Sequence, residues 1–356
     1  MPVGVAQPRT RRLSPAAVRT IATAFNPRDN GITPLRLGLA LAVIYSHSFV
    51  TGGFGFDPLY RITGGQMQLG TAAVISFFGL SGFLLARSRA SSAFVPYLRN
   101  RVLRVVPGLW ACVGVTALAA IPVAVALGGR APPDQVSAFV LRAMTFQGPL
   151  VIDGLYPGSA LSSFVNAPLW TLAPEMLCYV GLGLIGWCAR TLRSVVLAVA
   201  LASFGVAHML ADGTWLLVHL PVAFLVGTLL FHHAARVPLA SPVAFALLAL
   251  TVAAAMVGSL GLVAPLTLPY LALWIGLTQP LRWKRDLSYG AYIHAWPIQQ
   301  LLTTVGVASL GWASYIALTV PLVLGVAYVS AVLIEEPAMR LRYRPAATAK
   351  SPAPTG

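Results

Sequence analysis

The sequence predicts an all-α fold: a polytopic membrane helix bundle of about ten transmembrane helices, with both termini on the cytoplasmic side (N-in/C-in). Three observations carry that expectation. Charged residues make up only 9% of the 356 residues, against 57% hydrophobic ones. A soluble domain is about 25% charged, so there is too little polar surface here to clothe a water-soluble fold. The apolar residues gather into runs of about 20 residues, the length at which a helix crosses the hydrocarbon layer, and they do not alternate like the roughly ten-residue strands of a membrane barrel. The basic residues collect in every second connection, as positive residues do on the cytoplasmic side.

Taken in order, residues 1–30 are polar and basic, with no apolar stretch before residue 32. They read as a cytoplasmic tail, because a cleaved signal peptide needs an apolar core. Ten spans follow, near 32–52, 69–87, 103–127, 168–188, 194–211, 215–232, 240–257, 260–279, 288–309 and 313–334, so that residues 31–342 form the membrane domain. Gly52-Gly53, Arg87-Ser88-Arg89, Gly128-Gly129-Arg130, Asp212-Gly213, Gly258-Ser259, the stretch from Arg282 to Asp286, and Gly311 separate them, each with the glycine or charge that breaks an apolar run. The longest outer connection runs from Gly128 to Ala167 and contains an amphipathic piece near Val136 to Phe146, suited to the membrane surface. It is placed to roof the outer mouth of a cavity. Residues 343–356, rich in Pro, Ala, Ser and Thr, read as a disordered cytoplasmic tail. No repeat at a fixed period and no second soluble domain is visible.

The charges test the count of spans. Starting from a cytoplasmic N-terminus, alternation puts 20 of the 24 Lys and Arg residues inside, leaves Arg61, Arg130 and Arg142 outside, and buries Arg36 in a span. A miscounted span would invert that asymmetry partway along the chain. The same rule accounts for the net charge of +15, and no basic run alternates with aromatics in a polar segment, so no nucleic-acid partner is expected. Cys112, Cys178 and Cys188 all fall within apolar runs without a CxxC or Cys/His cluster. They read as small buried hydrophobes, and neither a metal site nor a disulfide framework is expected.

The chemistry concentrates in a few polar residues inside apolar runs. In TPLRLGLALAVIYSH only Arg36 and His47 are ionisable. Eleven residues apart on a helix, they lie roughly 20° apart around the axis and about 16 Å apart along it. Ionisable groups within a span mark functional paths; the competing reading is an arginine that snorkels to the surface and a histidine bonded in the core. Gly79, Ser81 and Gly82 in SFFGLSGFLLARSR let helices approach closely, which by itself is a packing role. In YLRNRVLRVVP, Arg101 and Arg104 share a helical face beside Arg99. Their planar forks suit phosphate, although cytoplasmic placement alone also accounts for them. Glu175, beside Pro174 in NAPLWTLAPEMLCY, needs a partner to stay ionised among apolar groups. Arg36 and His47 are the intramembrane candidates, and a structural ion pair is the alternative.

In RDLSYGAYIHAWPIQQ, Asp286 or Ser288 caps the helix, His294 reads first as a core histidine, and Gln299 and Gln300 lie deeper. Glu335 and Glu336 in LIEEPAMRLR read as surface ion-pairing groups among arginines. His208, His219, His232 and His233 sit at helix ends with no assigned role; the adjacent pair points about 100° apart and cannot chelate one ion. There is no Ser-His-Asp order, GxSxG, Walker loop or dinucleotide fingerprint.

From about Pro34 to Arg342 these residues resemble the acyltransferase family 3 membrane proteins. The family's Arg, ten residues, His element is matched by Arg36 and His47, and its FFxxSG by Phe77, Phe78, Ser81 and Gly82. RxxR-then-Pro is matched by Arg101, Arg104 and Pro107, and LWxLxxE by Leu169, Trp170, Leu172 and Glu175. SYxxY…P is matched by Ser288, Tyr289, Tyr292 and Pro297, and a late ExP by Glu335 and Pro337. Each motif is short; their order and spacing carry the resemblance. One departure is that many members place a histidine immediately before the aromatic-Pro pair, where this chain has Ala295, with His294 one residue earlier. A one-residue shift turns a helical side chain by about 100°. The chain looks like the stand-alone form, without the fused periplasmic domain of some members.

The resemblance implies a multi-pass plasma-membrane enzyme that moves an acyl group, most often acetyl, from cytoplasmic acetyl-CoA or another acyl-CoA to a hydroxyl of a glycan or lipid-linked acceptor. It implies donor binding by Arg101, Arg104 and Ser81, with the pantetheine arm running from Arg36 towards His47. His47 acts either as general base or as an acylated intermediate, with Glu175 orienting the imidazole or stabilising its charged form. A multispan transporter or flippase would also bury charge in a bundle; the lack of internal repeats and broken-helix symmetry counts against it.

Overall fold

Apolar runs in a bilayer must satisfy their backbone groups internally, and helix is the way a single segment does so. The computed structural model, which describes residues 19–27, 29–186, 194–203, 215–283 and 285–342, has a helix in each of the ten runs. In chain order the helices are α1 Ile32–Thr51, α2 Leu69–Ala90, α3 Phe94–Val115, α4 Pro133–Met144, α5 Leu172–Ile185, α6 Ser194–Ser203, α7 Trp215–His232, α8 Ser241–Met256, α9 Leu260–Thr278, α10 Ser288–Thr304 and α11 Trp312–Ser330. Among the described residues there is no strand, only two isolated antiparallel bridges. Residues 1–18 and 343–356, together with Arg28, Cys188, Arg190, Arg193, His208 and Lys284, lie outside the described residues.

Among the described residues, five helical stretches are long and apolar enough to cross a membrane: Leu69–Ala90, Phe94–Ala126, Ala167–Ile185, Leu260–Thr278 and Trp312–Arg340. Ser194–Ser203, Val218–His232 and Ser241–Met256 are apolar but shorter. α1 and α10 fall outside both groups; α1 carries Arg36, Ser46, His47 and Ser48, and α10 carries His294, Gln299 and Gln300. The protein is a helical membrane protein.

Two helices run on through a widened π turn. α3 passes through Thr116–Ala120 into Ile121–Ala126, and α11 passes through Ala331–Glu335 into Glu336–Arg340. A proline follows in each case, Pro122 and Pro337. The proline lacks an N–H and crowds the preceding turn, and an extra residue in that turn relieves the clash. The second π turn also places Glu335 inside the bundle, 2% exposed.

The bundle is assembled around α2, which packs against α1, α7 and α9. Its crossing with α7 is a backbone-to-backbone contact: a Cβ on Gly82 would lie 2.0 Å from the Phe224 carbonyl oxygen, and one on Gly227 would lie 1.9 Å from that of Gly79. The small residues around Ser81 therefore serve the packing role expected of them. Within the stretch read as a tail, Thr20 caps a single helical turn, Ile21–Ala24, whose Ile21 is fully buried, and Thr20 bridges to Pro238.

The connection from Gly128 to Ala167 is more ordered than its punctuation suggests. The amphipathic piece is α4, with Phe139 and Ala143 buried on one side and Leu141 exposed on the other. Beyond it Ile152, Leu155, Tyr156 and Val165 are fully buried and join the main core. Pro297 explains how this loop is fastened. Lacking an N–H, it leaves the Ile293 carbonyl of α10 free, and that carbonyl accepts from Asn166 Nδ2 (2.8 Å) and Cys112 Sγ (3.2 Å). Gln300 Nε2 donates to the Leu161 carbonyl (2.8 Å), and Trp296 Nε1 donates to that of Phe164 (3.0 Å). Cys112 is buried, as its apolar setting suggested.

Candidate active site

α1 is one uninterrupted helix with Arg36 in its second turn and His47 near its C-terminal end, so the two candidate groups are carried on a single rigid element. Gln299 Nε2 of α10 donates to the Ile44 carbonyl of α1 (2.8 Å), fixing the two helices side by side. Ala40 and Ile44 of α1 pack with Ala291 and Ala295 of α10. Small residues at that contact allow the close approach.

At the Arg36 end of α1, three helices meet on one carboxylate. Asp286 Oδ2 accepts from Arg36 Nη1 (2.6 Å) and Arg104 Nη2 (2.8 Å), and its Oδ1 accepts from the Ser288 backbone N–H (3.1 Å) and Oγ (2.5 Å). Arg104 Nη1 donates in turn to Glu335 Oε2 (3.1 Å), whose other oxygen accepts from Ser330 Oγ (3.2 Å). The Arg104 guanidinium lies 5.6 Å from the Tyr289 ring centroid, and the Tyr289 hydroxyl donates to the Val105 carbonyl (2.7 Å). Tyr289 can come this close because the neighbouring residue on α3 is Gly108, where a Cβ would sit 2.7 Å from the ring. Burial opposes ionisation of Asp286, but Arg36, Arg104 and the two Ser288 bonds override it and hold the carboxyl down to about 2.

Above this cluster lies a narrow cavity of about 50 Å³, lined by Arg36, Ser81, Glu175, Ser288, Tyr289 and Tyr292 together with Val74, Phe77, Phe78, Thr171 and Leu172. Its volume admits a few waters or one thin chain. Glu175 Oε1 accepts from the Tyr179 hydroxyl one turn along α5, and the Tyr292 hydroxyl is held by Thr171 Oγ1 (2.8 Å) and the Pro168 carbonyl (3.1 Å). A roomier groove of about 570 Å³ between α5, α6 and α7 is lined almost entirely by apolar side chains, so it offers no acid, base or cation for chemistry.

His47 is not among the residues lining the Arg36 cavity. Its imidazole stands edge-on to Trp296, with ring centroids 5.1 Å apart, and its Nδ1 is enclosed without a hydrogen-bond partner. Ser288, Tyr292 and Trp296, spaced four apart, form one face of α10 that runs beside α1 from the charge cluster to the imidazole. His294, two residues before Trp296, points to the opposite side of α10; it is buried, with Nε2 enclosed and unpartnered. Past the C-terminal end of α1, Asp57, 1% exposed, accepts from Ser46 Oγ (2.5 Å) and from the backbone N–H groups of Tyr60 (3.1 Å) and Leu69 (3.0 Å). It ties α1 to the start of α2 through Ser46, the residue next to His47.

The structure thus brings Arg36, Ser81 and Glu175 to one cavity, places Arg104 in the charge cluster below it, and leaves His47 beyond it against Trp296. Glu175 bonds Tyr179 rather than Arg36 or His47, because Asp286 takes Arg36. Asp286 does cap α10 through Ser288, but it is also the shared partner of two arginines. Glu335 is a buried partner of Arg104, not a surface group; Glu336 does pair at the surface, with Arg285 (2.6 Å). Sequence reasoning missed Asp286 as the hub, as well as Asp57, Tyr179 and Trp296. One signal was available for the two aspartates: the chain has only nine acidic residues, so any acid flanking an apolar run merited weight.

The acyltransferase 3 family, an acyltransferase domain, matches residues 29–334. An O-acetyl transferase of Shigella phage Sf6 is 22% identical over 333 residues, covering 87% of this chain and 96% of the relative. No solved structure matches. The family match spans the motifs from Arg36 to Pro297 and takes in Arg36, Arg104, Asp286 and the cavity, so the chain belongs to the acyltransferase 3 family and is a membrane O-acyltransferase.

Proposed function

We propose that this protein moves an acyl group, in the first instance acetyl, from cytoplasmic acyl-CoA to a hydroxyl of a cell-surface glycan or lipid-linked glycan. In this reading α1 to α11, with α4 lying outside the membrane, cross the plasma membrane ten times with both termini inside. The donor then meets the inner face, where Arg36, Arg101 and Arg104 gather positive charge. Its acyl end passes Ser81 and Glu175 in the cavity and is delivered along the Ser288–Tyr292–Trp296 face towards His47.

At His47 the acceptor oxygen attacks the thioester carbonyl while the imidazole takes the hydroxyl proton. The carbon–sulfur bond breaks, the ester forms, and the proton passes to the departing thiolate. Asp57, beside the imidazole, stabilises the imidazolium that forms on the way. Glu175 and Tyr179 supply a polar wall for the thioester in an otherwise apolar slot. The relative from Shigella phage Sf6, named as an O-acetyl transferase, supports acetyl as the group moved.

The observation that carries the reading is the placement of Arg36 and His47 on one helix, with the Glu175 and Ser81 cavity at the arginine end. The test is transfer of label from radiolabelled acetyl-CoA to a hydroxyl acceptor by purified protein in detergent. The expected result is product from wild type and a loss of about 10²-fold or more with His47→Ala, with melting unchanged. Equal product from both proteins would remove His47 from the reaction.

A further inference from the structure

Four guanidiniums meet at the inner end of the bundle, but the acids there serve only two of them. Arg36 and Arg104 share Asp286, and Arg104 also holds Glu335. Arg101 lies one turn before Arg104 on α3, and Arg342 lies just past the closing turn Glu336–Arg340. Among the described residues neither pairs with an acid, and the Nε of each is enclosed without a hydrogen-bond partner.

The segments that carry these two arginines are neighbours. The π turn and closing turn of α11 pack against α3, and Arg101 is the foremost of the cations acting on Arg342, ahead of Arg104 and Arg36. Burial and these cations bring the Arg342 guanidinium down to about 10. Two unpaired like charges, partly buried side by side, cost stability unless an anion joins them. The other inner arginines differ: Arg89 donates to the carbonyls of Gly183 and Ser92, Arg87 lies over Phe25, and Arg99 and Arg340 are exposed.

We propose that Arg101 and Arg342 together form a binding site for a phosphate group, while Arg104, the motif partner of Arg101, is a structural tie occupied by Asp286 and Glu335. Two planar forks converging on one phosphate make charge-assisted bidentate bonds, which point charges or lone cations do not. The phosphate comes either from the nucleotide end of the acyl donor, which rests on the donor reading above, or from an anionic lipid headgroup at the inner face.

The test uses the full chain in nanodiscs of neutral phosphatidylcholine, titrated calorimetrically with coenzyme A, dephospho-coenzyme A and inorganic phosphate. Arg101→Gln and Arg342→Gln are each expected to weaken coenzyme A binding tenfold or more. Arg342→Lys should fall between them and wild type, and Arg340→Gln, an equal loss of charge from an exposed neighbour, should stay within twofold. Without ligand, Arg342→Gln should melt at or above the wild-type temperature, because an unpaired cation has been removed; this also shows that the variant folds.

A second set of nanodiscs adds phosphatidylglycerol. If the pair is needed for stabilisation by that lipid while coenzyme A affinity is indifferent to it, the site stands and its phosphate is the lipid's. If wild type binds no coenzyme A but its response to inorganic phosphate or to phosphatidylglycerol needs Arg101 and Arg342, the donor reading fails and the site stands. Wild-type responses to all of these ligands in Arg101→Gln and Arg342→Gln, or an equal loss in Arg340→Gln, overturn the proposal.

Discussion

Replacing Asp286 by Asn exchanges one oxygen for an amide nitrogen and removes the charge on which three helices converge. The carboxyl is held at about 2 against an ordinary 3.8, a difference equivalent to about 2 kcal/mol of folded-state stability. The sign follows from a depressed carboxylate. The contribution is fully present above pH 4, fades as pH falls from about 4 to about 2, and is absent below. The amide also leaves Arg36 and Arg104, 25% and 12% exposed, without an anion between them. Breaking a buried pair in this way costs about 3–5 kcal/mol, and partial exposure at Asp286 places the loss toward the lower end, about 3 kcal/mol. Thermal melting in one detergent at pH 7 should show a clear drop for Asp286→Asn, and the drop should shrink towards pH 3. Arg36→Gln combined with Asp286→Asn should lose less than the sum of the two single changes, with a coupling of about 1–3 kcal/mol. A variant that melts with wild type at pH 7, or a double mutant that is strictly additive, would refute the hub.

Three further outcomes follow from particular contacts. Gly227→Ala, whose Cβ would meet the Gly79 carbonyl at 1.9 Å, should lower the melting temperature by an overpacking cost of about 1–3 kcal/mol, whereas Gly114→Ala, with nothing within 4 Å, should be neutral or slightly stabilising. Glu335→Gln should lower melting measurably because it removes a buried negative charge that balances Arg104, and Glu336→Gln, in a surface pair with Arg285, should leave melting unchanged. Asp57→Asn removes the carboxylate that holds Ser46 and the starts of two helices; a loss of about 2 kcal/mol in melting is expected, together with reduced acyl transfer, measured with labelled acetyl-CoA.

The sequence by itself determined the membrane class, because scarcity of charge is a property of composition and no folding detail can reverse it. It determined the helices as well: a run such as Leu69–Ala90 offers its backbone no other partners in lipid. Periodicity within one helix was enough to place Arg36 and His47 on a common rod, and the ordered motifs were enough to name the family. Tertiary structure alone decided who meets whom. Asp286 lies 250 residues from Arg36 and 182 from Arg104, so no local pattern could rank it above a helix cap. Glu335 and Glu336 are adjacent and chemically alike, yet a π turn ahead of Pro337 sends one inside and leaves the other at the surface. The face of His47 that meets Trp296, and the absence of an acid beside Arg101 and Arg342, likewise depend on how separate helices dock. Helix formation is a local consequence of sequence, whereas the pairing of charges is settled by long-range packing.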